Sequence, residues 1–542
     1  MPSGGPKDKT PPAVISYEPL DRTLNYHENY IKIEFSKWVD RNKVIQNISI
    51  SPPVDLQYSW SGKELEIKFQ NKLKEQTTYS FLIGTEYTDL KGNKPDSAFS
   101  LTFSTGNKID TGRIEGFLVG EKSAGALIYC YRIDDKNPDT LNFEKSPAEY
   151  KTQVGGNGLF SLRALPDGLY RIIAVKTDFK DNLFHPNTDF FGAATKDLEV
   201  NNGKSSFVKL KIEKYPNYSP LSIVYNKNYE DSLVIFQFNK PVSLLSSNNK
   251  EYFQIIDSSN KKNLEIKSIF LDSIYSKNLY VKINDKIRDS VNYVFKLTRD
   301  SVLVDTSGIF STKIDYSFVA NNTNTNYSFK LIATPFADST QRVKKETQLQ
   351  FIFNKPILVS KDSIPIEIID LNTKKKMLSN LVYPQSNSIK IETQDELNAD
   401  SWYRIKLNLY LIRSLDNEII KDTTVKYDFK TEDWRGFSDI SGKLLDSIGC
   451  ANIILNLLNS KNTIISSTKI NQDKSFIFTN IPDGIYKIEG FCDENNNGKF
   501  DYGRAFPFQF SEHFVLFNNT VEVKPRWNLE NIMLLFDDKI NR

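Results

Sequence analysis

Along most of the chain apolar and polar residues alternate with a period of two, the spacing that lines one face of a β-strand. Ile31, Ile33 and Phe35 alternate in this way, then Leu65, Ile67 and Phe69, then Tyr79, Phe81 and Ile83, and a closing strand is centred on Leu101 and Phe103. Turn-forming clusters separate the runs, among them Trp60-Ser61-Gly62-Lys63 and Asp89-Leu90-Lys91-Gly92-Asn93. Short alternating strands punctuated by such turns predict a two-sheet sandwich over residues 11–108, here called A1.

The same order of strands recurs twice. Residues 216–320 (A2) carry Val234, Phe236 and Phe238, then Leu279, Val281 and Ile283, then Tyr293, Phe295 and Leu297, the turn Asp305-Thr306-Ser307-Gly308, and Tyr316 and Phe318. Residues 327–432 (A3) carry Leu349, Phe351 and Phe353, then Ile389 and Ile391, then Tyr403, Ile405 and Leu407, the turn Asp416-Asn417, and Phe429. One phrase marks each copy: Phe35-Ser36-Lys37-Trp38-Val39, Phe238-Asn239-Lys240-Pro241-Val242 and Phe353-Asn354-Lys355-Pro356-Ile357. Each phrase is expected to end a strand and begin a turn. The second and third phrases stand one sandwich apart and the first and second roughly two, so a further domain is inserted between A1 and A2.

That insert, residues 111–212 (B1), has a counterpart at 434–542 (B2). One opens Gly112-Arg113-Ile114-Glu115-Gly116 and the other Ser438-Asp439-Ile440-Ser441-Gly442. Both continue with an apolar strand, Ala126–Tyr129 and Ile453–Leu457. Both then show Phe160 or Phe476 in a strand, and after it Leu165-Pro166-Asp167-Gly168-Leu169-Tyr170 or Ile481-Pro482-Asp483-Gly484-Ile485-Tyr486. Pro-Asp-Gly between alternating strands predicts a hairpin, since Pro presets φ and Gly accepts a positive one. The order of units is A-B-A-A-B.

Composition supports an all-β chain of tandem β-sandwiches, elongated or arced. Tyr 26 and Phe 36 with abundant Ile, Val and Thr favour strands, whereas Met 3 and the lack of long helical runs disfavour helices. Lys+Arg 70 against Asp+Glu 67 leaves a net charge of only +3, too little basic excess for nucleic acid as the main ligand. No apolar run has the ~20 residues of a membrane-spanning helix. Residues 1–10, rich in Pro and Gly, read as a flexible tether, and the start reads as that of a mature exported protein whose signal has been removed. Of the three cysteines, Cys450 and Cys492 fall in B2, where they either pair or remain buried thiols like Cys130.

The sharpest local chemistry is Asp493-Glu494-Asn495-Asn496-Asn497-Gly498-Lys499-Phe500-Asp501. Asp493, Asn495, Asn497 and Asp501 place side-chain oxygens at the first, third, fifth and ninth positions, Gly498 allows the turn, and Lys499 offers its carbonyl: a spacing suited to calcium. Arg504 stands where such a loop wants a bidentate acid, so the competing expectation is an Asx-rich turn. The corresponding stretch of B1, Asp178-Phe179-Lys180-Asp181-Asn182 continuing to Asp189, lacks the Gly and is expected to be structural. His27, His185 and His513 show no metal-ligand spacing and adjoin no nucleophile, so they are expected at the surface or in turns. Gly155-Gly156-Asn157-Gly158 precedes a strand and no Gly-Lys-Ser/Thr comes after it, which excludes a phosphate loop. No acid/base pair is nominated, and the chain is read as not an enzyme.

The A units resemble the bacterial Ig-like domain first described in S-layer proteins. A1 carries the likeness in Phe35 to Val39, Trp60 and Gly62, Thr77 to Tyr79, Asp89 to Asn93, and Phe103 to Thr105, with Trp38 where Pro is usual; A2 and A3 keep only Phe-Asn-Lys-Pro. The B units resemble transthyretin-like or carboxypeptidase-regulatory-like β-sandwiches through Gly-x-x-Gly, Gly-x-Phe and Leu-Pro-x-Gly-x-Tyr. The combination, with Ser3-Gly4-Gly5-Pro6-Lys7-Asp8, looks like envelope lipoproteins of Bacteroidota. The resemblance implies a non-catalytic scaffold of the outer membrane, exported and held by an N-terminal lipid. Its partners would be outer-membrane or other cell-envelope proteins, including the β-barrel assembly machinery. It also leaves open a carbohydrate- or host-binding adhesin.

Overall fold

In a computed structural model the chain is described over residues 8–537, apart from 135–136, 180, 202, 204, 230–231, 246–249, 321, 324–326, 361–362, 421–423 and 518. Residues 1–7 of the expected tether and Lys180 thus lie outside the described residues. Strands dominate, as the alternation predicts, and among the described residues they gather around five main cores, with smaller clusters around Tyr129, Phe191 and Ala505 and around Leu233, Phe270 and Tyr280. The main cores lie in 26–103, 114–212, 221–320, 329–429 and 440–536.

A1 is a sandwich. Four strands, in the order Val14–Glu18, Tyr30–Phe35, Glu64–Phe69 and Leu56–Ser61, face three, Ile48–Ser51, Thr78–Ile83 and Phe99–Ser104. Ile31, Ile33, Phe35, Leu65, Ile67 and Phe81 are wholly buried between them. Removing such side chains from water is the main stabilising force, at about 25 cal/mol per Å² of apolar surface.

The recurring phrase is where a strand changes partners. Before it the strand pairs within one sheet; after it the residue next to the Pro or Trp pairs with the closing turn, as Val39 with Asp89, Val242 with Asp305 and Ile357 with Ser414. In A2 the phrase does not end the strand, contrary to expectation. Leu233–Leu244 runs straight through it, with a register slip between Gln237 and Val242 that lets the chain swap partners. The Lys of each phrase ties this crossing together. Lys240, almost buried, pairs with Asp305 at 2.5 Å and donates to the Asn217 and Ser219 carbonyls at 2.8 and 2.6 Å. Lys37 lies 3.8 Å from Asp89 and donates to Asp8 and the Thr10 carbonyl, both at 2.7 Å. Lys355 meets Glu418 at 2.8 Å.

The turn has its own cap. Asp89 Oδ1 accepts from the Lys91 and Asn93 amides, and Asp305 Oδ1 from those of Ser307 and Ile309. In A3 the cap is Ser414, whose hydroxyl accepts from the Asp416 and Glu418 amides. The carboxylate lost at 414 is supplied four residues on by Glu418.

B1 and B2 share one topology. In B1 the sheet Leu159–Leu165, Gly112–Val119, Ser205–Lys211 faces a second sheet containing Tyr150–Gln153, Leu127–Arg132, Gly168–Lys176 and Phe190–Ala193. In B2 the sheet Ser475–Ile481, Ser438–Asp446, Leu529–Phe536 faces Ile464–Lys469, Ile453–Leu458, Gly484–Cys492 and Phe514–Leu516. The last strand of each three-stranded sheet runs parallel to the first. Pro-Asp-Gly does not make a hairpin in either unit, because the strands it joins belong to opposite sheets. It makes an arch, held by the tyrosine four residues on: Tyr170 donates its hydroxyl to the Pro166 carbonyl at 2.8 Å and Tyr486 to that of Pro482 at 3.0 Å. Gly116 and Gly442 are opposite Phe160 and Phe476. A Cβ on Gly116 would stand 2.3 Å from the Phe160 ring, so the aromatic takes the space that a side chain would fill.

Cys450 and Cys492 form a disulfide, with Cα atoms 5.7 Å apart, settling the two alternatives left by the sequence. Cys130 is a free buried thiol, and burial pushes its ionisation well up. Among the described residues no helix is long and apolar enough to cross a membrane.

Candidate functional site

The strand Gly484–Cys492 delivers Asp493 into the core side of the predicted calcium loop, where it is nearly fully buried. Its carboxylate accepts from the Asn497 amide at 2.9 Å and the Gly498 amide at 3.1 Å. Asn495 Oδ1 accepts from the Asn497 amide at 3.0 Å, and Asn497 Oδ1 from the Lys499 amide at 2.7 Å. Asp501 Oδ2 accepts from Asn495 Nδ2 at 2.6 Å and Asn497 Nδ2 at 3.0 Å. Asp493, Asn495, Asn497 and Asp501 therefore do come together, and the loop's own amides satisfy their oxygens. Lys499 is exposed and takes part through its backbone. Among the described residues no three His, Cys, Asp or Glu side chains are grouped as holders of a metal ion.

The acid that the sequence could not place is Glu512. It is buried, and it accepts from the Glu494 amide at 2.8 Å and the Asp501 amide at 3.0 Å, bracing both ends of the loop. Burial, with Asp501 and Asp493 adding to it, pushes its carboxyl up to about 7. Burial likewise raises Asp501, although the two Asn amides oppose this. Asp493, Asp501 and Glu512 supply hard oxygens of the kind a calcium ion takes, but each is engaged by amide N–H donors that a cation would have to displace. Arg504, at the place of the expected bidentate acid, points elsewhere: its guanidinium lies 4.8 Å from the centre of the Tyr218 ring.

The segment after the loop, residues 502–511, docks B2 onto B1. The Ala193 amide donates to the Tyr502 carbonyl at 2.8 Å, and the Ser511 amide to the Ala194 carbonyl at 3.1 Å. The Ala505 amide donates to Tyr215 Oη at 3.0 Å. Phe508 lies under the Arg171 guanidinium at 3.9 Å and against Phe143. Gly503, at φ +85°, packs so closely that a Cβ would sit 2.6 Å from the Ala193 Cβ. The arc expected from tandem units therefore closes upon itself, B2 on B1. Beside this junction runs an apolar groove of about 500 Å³ lined by Phe117, Leu159 and Phe207 from B1 and Phe514, Met533 and Leu535 from B2.

The B1 counterpart of the loop is built differently. His185 holds Asp181 at 3.1 Å through Nε2, its amide donates to Asp189 at 2.8 Å, and the Phe179 ring packs against its own at a tilt. It is a hydrogen-bonded turn. His513 stands beside the B2 loop, with its Nδ1 4.0 Å from Glu494. Gly155–Gly158 is a turn closed by the Gly158 amide on the Gly155 carbonyl.

Among curated proteins, none matches the chain. Solved structures match it loosely. The N-terminal part of the bacterial S-layer protein SbsC is 13% identical over 39% of this chain and 44% of its own, with a TM-score of 0.17. The Bacillus anthracis TIE protein is 11% identical over 99% of this chain and 76% of its own, with a TM-score of 0.13. The major pilin subunit of Bacillus cereus is 9% identical over 78% of this chain and 98% of its own, with a TM-score of 0.13. The chain spans less than half of the SbsC fragment, and superpositions this loose carry no argument about its function. A family model gives the firmer likeness: residues 8–105, nearly all of A1, match the bacterial Ig-like domain.

Proposed function

We propose that the chain is a non-catalytic scaffold of the bacterial cell envelope that presents β-sandwiches to partner proteins at fixed spacing. The observation that carries this reading is the closure of B2 upon B1, which fixes A2 and A3 between two held ends. An exposed apolar groove beside that closure supplies a contact surface, and exposed edges and loops are where such chains bind. The transthyretin-like reading of the B units fits their shared arch and glycine–aromatic pairing. The finer proposal is an exported outer-membrane lipoprotein that serves as an accessory subunit of the β-barrel assembly machinery. A tagged copy retaining its native N-terminal leader, extracted in mild detergent, should co-purify with outer-membrane proteins; recovery of the chain alone would reject this role.

A second reading, glycan binding, has one observation in its favour. Trp38 is 51% exposed on A1, beside Arg41, whose guanidinium lies 6.0 Å from its ring. Binding on a glycan array that is lost in Trp38→Ala would support it. Calcium at Asp493, Asn495, Asn497, Asp501 and the Lys499 carbonyl, with Glu512 added, is a separate proposal about the loop. Calorimetry of the full chain with Ca²⁺ tests it: heat and a thermal shift are expected, both lost in Asp493→Asn.

A further inference from the structure

At the centre of the B1–B2 junction three side chains of complementary chemistry meet. Lys211 ends the Ser205–Lys211 strand of B1. Asn456 and Glu489 are opposite each other on paired strands of B2, Ile453–Leu458 and Gly484–Cys492. Lys211 Nζ donates to Glu489 Oε1 at 3.0 Å and Oε2 at 2.9 Å. Asn456 Nδ2 donates to the same Oε1 at 3.1 Å. Amine and carboxamide are therefore held on one oxygen atom. From the neighbouring strand, Ile464–Lys469, the Ser467 hydroxyl donates to Asn456 Oδ1 at 2.7 Å. Asn456 and Glu489 are 6% and 7% exposed, and the Phe500 and Phe514 rings cover Lys211 at 5.0 and 5.9 Å.

We propose that Lys211 and Asn456 join in an isopeptide bond across the junction, with Glu489 carrying the protons. Lys211 and Glu489, whose side chains are 15% and 9% exposed, form a largely enclosed ion pair across which one proton transfer gives a neutral amine and a carboxylic acid. Passing the Lys211 proton to Glu489 removes both charges and frees the Nζ lone pair. Nζ attacks Cγ of Asn456, and the negative charge that develops on Oδ1 is met by the Ser467 hydroxyl already bonded to it. Glu489 gives its proton to Nδ2 and takes one from the attacking Nζ. The Cγ–Nδ2 bond breaks and ammonia leaves, taking up the remaining proton as ammonium. One ammonium and one primary amide become one secondary amide and one ammonium ion, with no change of oxidation state and no co-reactant. Holding both groups on one carboxylate supplies the proximity that makes an otherwise slow amide exchange feasible. The product closes a covalent loop through A2 and A3, beside the disulfide already present in B2.

Mass spectrometry of the purified full chain, reduced and denatured, tests this. The intact mass should fall below the sequence mass by about 17 Da, one ammonia. Proteolysis should yield a branched peptide joining the segments around Lys211 and Asn456. Glu489→Gln and Lys211→Arg should restore the full mass and two linear peptides. A wild-type chain with Lys211 and Asn456 recovered on separate linear peptides would overturn the proposal, even with an ammonia lost, because Asn456 can lose ammonia alone as a succinimide. The wild-type map decides the matter if either variant fails to fold.

Discussion

The A2–A3 joint and the B1–B2 junction hold neighbouring sandwiches by different means. At A2–A3 neutral hydrogen bonds lie beside an aromatic cluster, in which Tyr327 of A3 stacks on Tyr229 and packs against Leu233, Ile235, Phe270 and Tyr280 of A2. Asn387, fully buried, donates from Nδ2 to the Leu271 and Phe353 carbonyls at 2.9 and 2.8 Å, Gln385 Oε1 accepts from the Leu271 amide, and Ser268 meets Ser386. Among the described residues an ion pair joins the buried Lys282 to the half-exposed Asp416 at 2.6 Å. At B1–B2 the contacts are cationic and aromatic: Arg171 on Phe508, Arg504 on Tyr218, and Lys211 on Glu489 and Phe500. The difference stems from connectivity. A2 and A3 are joined by a short linker, so their encounter costs little chain entropy and a small set of contacts suffices. B1 and B2 are separated by the whole of A2 and A3, so their junction must supply its own affinity and its own register. Charged groups over aromatic faces give both.

Each joint can be weakened without the other. The largest effect is expected at the end of A2 that faces B1, where Lys240 reaches the Asn217 and Ser219 carbonyls. Asp305→Ala leaves Lys240 buried without its carboxylate, which should cost about 3–5 kcal/mol and make A2 the first unit to melt in urea. Gly503→Val introduces both a side chain into the Ala193 contact and a β-branched residue at positive φ, for roughly 2–4 kcal/mol. Amide exchange should rise at 190–194 and 502–511 and stay unchanged at 385–388; a uniform rise would mean the two contacts are not independent. Asn387→Ala strips two buried carbonyls of their donor, at about 1–3 kcal/mol, and should loosen A2–A3 alone. Asp416→Ala takes the half-exposed carboxylate from the buried Lys282, which keeps its hydrogen bond to the Ser232 hydroxyl, and should cost about 1–3 kcal/mol in the same melt.

Much of the fold was legible because it is local. Strand faces at Ile31, Ile33 and Phe35, or at Tyr293, Phe295 and Leu297, come from period-two alternation, and recurrence of the Lys-containing phrase exposed the order of units. The phrase itself was read only in part. Its Lys and the turn acid were both in view, but they lie far apart in sequence, and the substitution of Ser414 with Glu418 in A3 hides the pairing. Pro166-Asp167-Gly168 looked like a hairpin because a turn signal does not say which sheet the next strand joins. In the loop, Asp493, Asn495, Asn497 and Asp501 were legible from spacing. Glu512 was not, since it comes from beyond the docking segment, and nothing local marks it as a brace. Closure of B2 on B1 left no sequence signal at all: Lys211, Asn456 and Glu489 read individually as ordinary polar positions on strands.

The proposed scaffold depends above all on that closure, and distance across the groove probes it without an intermediary. Dyes placed by Leu159→Cys in B1 and Met533→Cys in B2, two side chains that line the same groove, should give a single narrow population of high energy transfer in single molecules of the full chain. A broad population of low transfer would show B1 and B2 apart in solution and would contradict a scaffold closed at its ends.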